Sequence, residues 1–453
     1  MASAAEQLAQ NINLGSFAKA KELQKRILFT LGILVAYRIG TYIPVPGIDP
    51  VQYASVFQNQ LGGNNGILGM VNIFAGGAVE RMAIFALNVM PYISASIIMQ
   101  LMAATIPSLE KLKKEGGEAG RKQINQYSRY LTVFLAAAQG LAIALSMIRP
   151  DPSTGATIAL EPGMFFVVTT VTTFVGGTML LLWMGEQITA RGVGNGVSLI
   201  IFTGIITVLP GTLFGLLQQA EQGAIGAGTA FLILALMIAT VIFVVFIERS
   251  QRRILVQYPK RQMGSRMVGG ETSFLPLKLN TAGVIPAIFA TSLLLLPATI
   301  ASFASQTNIE WLQTMAAVLG RGQPAFLILY AALIIFFTFF YTSIVFNPED
   351  TADNLRKYGG FLPGIRPGKR TAEYLDYVLS RLTVIGAIYL TIVCLVPEFI
   401  RGPASAVTFA LGGTSILIVV SVTLDTVGQI QSHLLAHQYE GLIKKTKLRG
   451  RRR

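Results

Sequence analysis

His433 and His437 stand four residues apart, a spacing that sets two imidazoles on one helix face, where they can share a metal ion. No cysteine or carboxylate motif accompanies them, so the pair reads as solvated histidines flanking an apolar run. The segment RGVGNG (191–196) is superficially like a glycine-rich nucleotide loop, but it joins two apolar runs and follows no strand. GxxxxGK[ST] occurs nowhere, which disfavours nucleotide binding and hydrolysis by this chain. The single cysteine, Cys394, excludes an intramolecular disulfide. These residues make no catalytic constellation, and no cofactor is expected.

The elements that carry them explain why. The 453 residues are 52% hydrophobic and 13% charged, against roughly a quarter charged in soluble domains. Runs free of Asp, Glu, Lys and Arg recur at lengths near the ~20 residues a helix needs to cross hydrocarbon. Ten spans are expected, at about 27–43, 82–106, 131–148, 163–184, 197–217, 229–247, 281–303, 325–346, 383–397 and 409–424. The alternative, a large soluble helical protein, asks for polar helix faces that these runs lack. The first 26 residues are polar and mixed in charge, which does not fit a cleavable signal peptide and suits a surface helix or a solvated tail.

Charge gives the orientation. Under ten spans, 31 of the 36 Lys and Arg residues fall on one face, leaving Arg38, Arg81, Arg149, Arg321 and Arg401 for the other. Positive-inside bias then puts both termini in the cytoplasm, and the net charge of +14 becomes a property of that face rather than a sign of nucleic-acid binding. Within the spans the one ionisable group is Arg38, near the end of the first. Ion-coupled carriers usually hold intramembrane Asp, Glu, His or Lys, which argues against a proton-driven carrier. A sodium-coupled carrier built on backbone carbonyls stays open.

Three further features stand out. The stretch GGNNGILGMVNIFAGG (62–77) is too broken to span a membrane and too apolar for a surface loop. The second span holds VMPYI (89–93) and the seventh VIPAI (284–288), both V-x-P-x-I, each proline being expected to bend its helix. Opposite directions five spans apart hint at an inverted repeat. Finally, the loops 248–280 and 347–382 mix cations with apolar and aromatic residues, as docking surfaces do. Positive-inside anchoring without a partner is the alternative, less favoured account of them.

FALNVMPYISASIIMQL, GEQITARGVGNG, NTAGVIPAIFA, VFNPEDTADNLRKYGGFLPGIRPGKRT and GGTSILIVVSVTLDT closely resemble the SecY family, the channel-forming subunits of the bacterial protein translocase. The likeness runs from the first span to QYEGLIKK near the C-terminus. It implies an all-α polytopic membrane protein of the plasma (inner) membrane, with ten transmembrane helices in two inverted five-helix halves and a re-entrant plug. The expected organisation is a cytoplasmic segment 1–26, an N-terminal half 27–217 with the plug at about 64–75, a C-terminal half 218–430 and a basic tail 431–453.

By motif position, the resemblance puts a pore ring on Val89, Ile93, Val197, Ile201, Ile288 and Ile418, with valine at 89 and 197 where isoleucine is often found. Ile67, Leu68, Val71, Ile73 and Phe74 fall in the plug, whose glycines lower helix propensity and supply hinges. Arg252, Arg253, Lys260, Arg261 and Arg366 fall in the docking loops. Pro91, Gln100, Gln126, Asn280 and Pro286 lie along a lateral seam between the second and seventh spans and the neighbouring third. The implied partners are SecE-like and SecG-like subunits, the SecA motor ATPase, the ribosome, secretory and membrane-protein clients, and membrane lipids. The implied function is passage of unfolded signal-bearing polypeptides outward and release of hydrophobic segments sideways into lipid, without bond chemistry in this chain. A small-solute secondary transporter is the rival reading.

Overall fold

The structure is a computed structural model that describes residues 20–59, 67–148, 157–223, 226–258, 261–263, 266–268, 272–304, 323–399 and 412–450. In chain order the elements are α1 (Lys21–Gly40), α2 (Pro50–Asn59), α3 (Ile67–Phe74), α4 (Met90–Thr105), α5 (Pro107–Glu115), α6 (Gly117–Ile148), α7 (Met164–Arg191), α8 (Gly196–Glu221) and α9 (Ala227–Arg249). Four strands follow: β1 (Gln251–Gln257), β2 (Arg261–Met263), β3 (Arg266–Val268) and β4 (Thr272–Lys278). The remainder is α10 (Ile285–Ala304), α11 (Pro324–Val345), α12 (Pro348–Lys357), α13 (Lys369–Phe399) and α14 (Gly413–Gly450).

Seven of these helices (α6, α7, α8, α9, α11, α13 and α14) contain stretches long and apolar enough to cross a membrane, and the bent pair α4–α5 makes an eighth. The bend, 101°, has a local cause. Ile106 precedes Pro107 and is pushed to the extended region (φ −94°, ψ 116°), which ends α4 and lets α5 start afresh. α1 and α10 occupy the first and seventh expected spans. α1 carries Lys21, Glu22, Lys25 and Arg26 in its first two turns, and α10 contributes a shorter apolar stretch, Ile285–Leu294.

The expected proline bends are absent from α4 and α10. Pro91 lies in the first turn of α4, and Pro286 is the second residue of α10. Proline has no N–H to lose at a helix start and its fixed φ suits that position, so each proline begins its helix rather than bending it. The apolar run from Met82 is therefore not helical throughout. Residues 75–89 form turns, apolar because protein buries them: Ala75, Ala78, Ala83 and Val89 have no exposed surface.

The chain divides into two compact units. The first comprises Met1–Gly215, Thr299–Ile309 and Ile418–Arg453; the second comprises Leu216–Ala298 and Glu310–Leu417. In the first, α6 packs on α7 and α4, α5 folds against α6, and α1 lies along α7. The segment after α1 is stitched to the turns before α4: Val45 N donates to Met82 O and Ile84 N to Ile43 O, both at 2.9 Å. Phe57, Ala75, Ala78, Met82, Phe166 and Phe174 share a buried cluster above them.

The second unit holds two antiparallel two-stranded sheets. β1 and β4 pair antiparallel from Gln251↔Lys278 to Gln257↔Thr272, and the short strands β2 and β3 pair at the far end. Alternation puts Ile254 and Val256 of β1 on the inner face, where with Leu277 they bury against Leu362, Leu375, Val378 and Leu382. Gln257 and Phe361 exchange both backbone hydrogen bonds at 2.9 Å, joining the chain after α12 to β1. The two long basic loops are thus one module with its own apolar interior. α12 beside it is capped by Asn347, which accepts from Glu349 N at 3.0 Å, with Glu349 and Asp350 in its first turn and Arg356 and Lys357 in its last.

Candidate functional site

The residues expected in the ring lie at helix beginnings. Val89 precedes α4 as its N-cap with no exposed surface, and Ile93, one turn on, is 7% exposed. Val197 is the second residue of α8, half-buried against Gly185, with Ile201 buried a turn beyond. Ile418 is the sixth residue of α14 and buried, and Ile288 is the fourth residue of α10 and half-buried. Val89 with Ile93, and Val197 with Ile201, form i,i+4 pairs on single helix faces. Ile288 belongs to the second unit and the other five to the first.

The expected plug contains a helix, α3, of eight residues. Ile73 and Phe74 are buried and Val71 packs half-buried on the cluster around Ala75 and Ala78. Ile67 and Leu68 open the helix, while the rest of their description and residues 64–66 lie outside the described residues. After Phe74 the chain turns at Gly76 (φ +66°) and Gly77 (φ +83°), where a β-carbon would be strained.

Sequence reasoning missed what holds this segment. A helix ends with unpaired carbonyls, and here three successive ones at and just after the end of α3, of Phe74, Ala75 and Gly76, each receive a side-chain donor. Asn88 Nδ2 donates to Phe74 O at 2.5 Å, Tyr37 Oη to Ala75 O at 3.3 Å and Arg38 Nη1 to Gly76 O at 2.6 Å. Arg38 also donates from Nη2 to Tyr42 Oη at 2.7 Å, and Arg38 and Arg81 both lie over the Tyr42 ring, at 4.7 and 4.2 Å. The one sequence signal was Arg38, an ionisable residue at a span end.

Among the seam residues, Pro91 and Pro286 are buried at helix starts. Gln100 is half-buried, donates to Ser96 Oγ at 3.4 Å, and has a buried Oε1 without a partner among the described residues. Asn280 is buried just before α10: its Nδ2 donates to Glu248 Oε1 at 2.8 Å and to Gly283 O at 3.0 Å, and its Oδ1 has no partner among the described residues. Gln126 is exposed on α6.

Of the docking residues, Arg252 and Arg253 are exposed on β1 and Arg366 on the turn before α13. Arg366 O accepts from Thr371 Oγ1 at 3.0 Å, which steadies that turn. Arg261 is in β2, its side chain outside the described residues, as is all of Lys260. His433 is exposed on α14, and the side chain of His437 lies outside the description. RGVGNG proves to be a tie between helices: Val193 N donates to Thr30 Oγ1 (3.1 Å), Gly194 N to Gln429 Oε1 (2.9 Å) and Gly196 N to Thr189 Oγ1 (2.9 Å). Those amides are engaged by protein, not held open for a phosphate.

Comparison with known proteins completes the description. A family model described as SecY matches residues 83–427. The protein translocase subunit SecY of Rickettsia bellii is 50% identical over 431 residues, covering 95% of this chain and 98% of the relative. That of Escherichia coli K12 is 50% identical over 430 residues, covering 95% and 96%. A solved channel whose SecY plug domain is described as stabilising the closed state and maintaining the membrane seal aligns with TM-score 0.65 at 18% identity, over 91% of this chain and 92% of the other. Sec61 in the canine ribosome–channel complex of the endoplasmic reticulum aligns with TM-score 0.60 at 17% identity over the same shares. These last two carry the fold alone. On the family match and half-identity along nearly its whole length, this chain belongs to the SecY family.

Proposed function

We propose that this chain is the central subunit of a protein-conducting channel, passing unfolded signal-bearing polypeptides across the plasma membrane and releasing hydrophobic segments sideways into lipid. Membership of a family of protein translocase subunits, at 50% identity over 95% of the chain, is the observation that carries this reading. The reading adds the parts. The branched aliphatics Val89, Ile93, Val197, Ile201, Ile288 and Ile418 form the constriction, and the segment 64–75 is the plug. The seam opens between α4 and α10, with Gln100, Gln126 and Asn280 as its polar groups. Both termini are cytoplasmic, and the β1–β4 module with the 358–370 turn receives the motor ATPase or the ribosome. SecE-like and SecG-like subunits complete the assembly. The chain makes and breaks no covalent bond, and force comes from the partner's nucleotide hydrolysis or from chain elongation.

A ring of branched aliphatics suits this task. Clients carry both signs of charge, so a charged selectivity ring would retain some of them. A narrow apolar constriction dewets and opposes ions by their desolvation cost, while gripping no client side chain strongly.

Reconstitution tests the reading. Vesicles holding the complex, with motor and ATP, should take up a presecretory protein into a protease-protected space. Uptake of a small solute without motor or ATP, and no protein uptake with them, would establish the rival carrier.

A further inference from the structure

We infer that Asn88 is a positioning residue that latches the plug to the start of the gate helix, so that displacement of α4 releases the plug. The inference rests on the plug-and-gate reading proposed above and deepens it by naming the coupling group.

The geometry is specific. Asn88 has 1% of its surface exposed and sits at φ +49°, a left-handed conformation rare outside glycine and tolerated best by Asn and Asp. Its amide spans two elements. Nδ2 donates to Phe74 O, the last carbonyl of α3, at 2.5 Å, while Oδ1 accepts from Val89 N, immediately before α4, at 2.8 Å. A carbonyl on one side and an N–H on the other allow one orientation of the amide, so its nitrogen faces the plug. Buried backbone groups lose much of their free energy when left unpaired, so the carbonyls of Phe74, Ala75 and Gly76 stay with their donors while the closed arrangement lasts.

The three donors differ in where they are mounted. Tyr37 and Arg38 belong to α1, whereas Asn88 joins directly to the residue that caps α4. Outward motion of the α4 start carries Asn88 away from Phe74 while Tyr37 and Arg38 still hold the next two carbonyls. The plug then swings about Ala75–Gly77, where Gly76 and Gly77 already occupy left-handed conformations that permit a pivot. The latch thus transmits gate motion to the C-terminal end of α3, while the tether on the next two carbonyls holds the pivot in place.

Plug position can be read as the labelling rate of Val71→Cys by a soluble maleimide, in the reconstituted full-chain complex with Cys394→Ala. Two variants separate latch from fold. Asn88→Gly suits the positive φ and removes both hydrogen bonds. Asn88→Asp keeps an acceptor for Val89 N and tolerates the same backbone, but sets a carboxylate against the Phe74 carbonyl. Each should raise labelling roughly three- to tenfold, the weight of one or two hydrogen bonds. Added signal peptide should raise labelling strongly in the parent and little in either variant, because the link it breaks is already gone. Parent-like labelling and signal response in both variants overturns the latch. A chain lacking residues 64–75 serves as the control: if it conducts no more ions than the parent, the plug reading fails and the latch with it. If it leaks while both Asn88 variants behave like the parent, the latch alone is wrong.

Discussion

Gly204 on α8 lies against the end of α3, the proposed plug helix, so closely that a β-carbon at position 204 would stand 2.2 Å from the Phe74 carbonyl oxygen. That atom is backbone, already engaged by Asn88, and cannot swing aside as a flexible side chain would. Gly204→Ala should therefore displace the plug rather than be absorbed, at about 1–3 kcal/mol, the usual scale of overpacking. Ion leak through the reconstituted channel should rise. Gly211→Ala on the same helix, whose added carbon would meet no atom within 4 Å among the described residues beyond its own stretch of helix, should leave leak unchanged. Equal leak in the two variants would mean that this contact does not hold the plug.

At the foot of α10, Asn280 and Glu248 make a second testable contact, 2.8 Å long, joining the end of α9 to the start of α10. Asn280→Asp replaces a donor with a second carboxylate and should lower the unfolding free energy of the solubilised protein by about 1–3 kcal/mol. Glu248→Gln in the same chain should restore most of it, since the amide can donate where the carboxylate could not. The four combinations form a double-mutant cycle measured by thermal unfolding. Additive losses would show that the pair does not act as a unit.

How much of this was legible from residues alone depends on the kind of interaction. Long apolar runs mark helices that lipid surrounds, and α6 to α9, α11, α13 and α14 fall where hydropathy expects them. The same signal misreads 82–89, because Ala83, Ala86 and Val89 are apolar for a different reason: protein, not lipid, buries them in a turn. Loop 248–280 conceals a hairpin, since Ile254, Val256 and Leu277 find their apolar partners at Leu362, Leu375 and Val378, a hundred residues away. The latch was invisible for the same cause. Asn88, Tyr37 and Arg38 look like an isolated amide, an aromatic and a stray charge until the fold brings them to three neighbouring carbonyls.

Docking is tested at Arg366. Its side chain is exposed, while the turn that presents it is held by Thr371 Oγ1 donating to its carbonyl and by Leu362 buried beneath. Arg366→Glu removes no buried contact, so the chain should insert in the membrane and unfold as the parent does. Motor-driven translocation should fall at least about tenfold, the effect of about 1.4 kcal/mol at a charged contact. Translocation by the reconstituted complex, with the motor's ATPase stimulated by client as a second readout, checks this. Normal rates in both would remove Arg366 from the interface.

The proposed ring is tested at two of its buried positions. Ile93 is 7% exposed and Ile418 2%, so each side chain lies among protein atoms. An amide placed there loses its hydration in the closed channel and regains it when water enters, a difference of about 1–3 kcal/mol in favour of the open form. Ile93→Asn and Ile418→Asn should each raise the open fraction by roughly five- to a hundredfold. Ion conductance should rise, and clients with defective signals should pass more readily, because opening no longer waits on a strong signal. Ile93→Val and Ile418→Val keep the constriction apolar at the loss of one methylene and should stay near the parent in both measurements. If the asparagine variants match their valine counterparts in conductance and in defective-signal export, an apolar seal at these positions is ruled out.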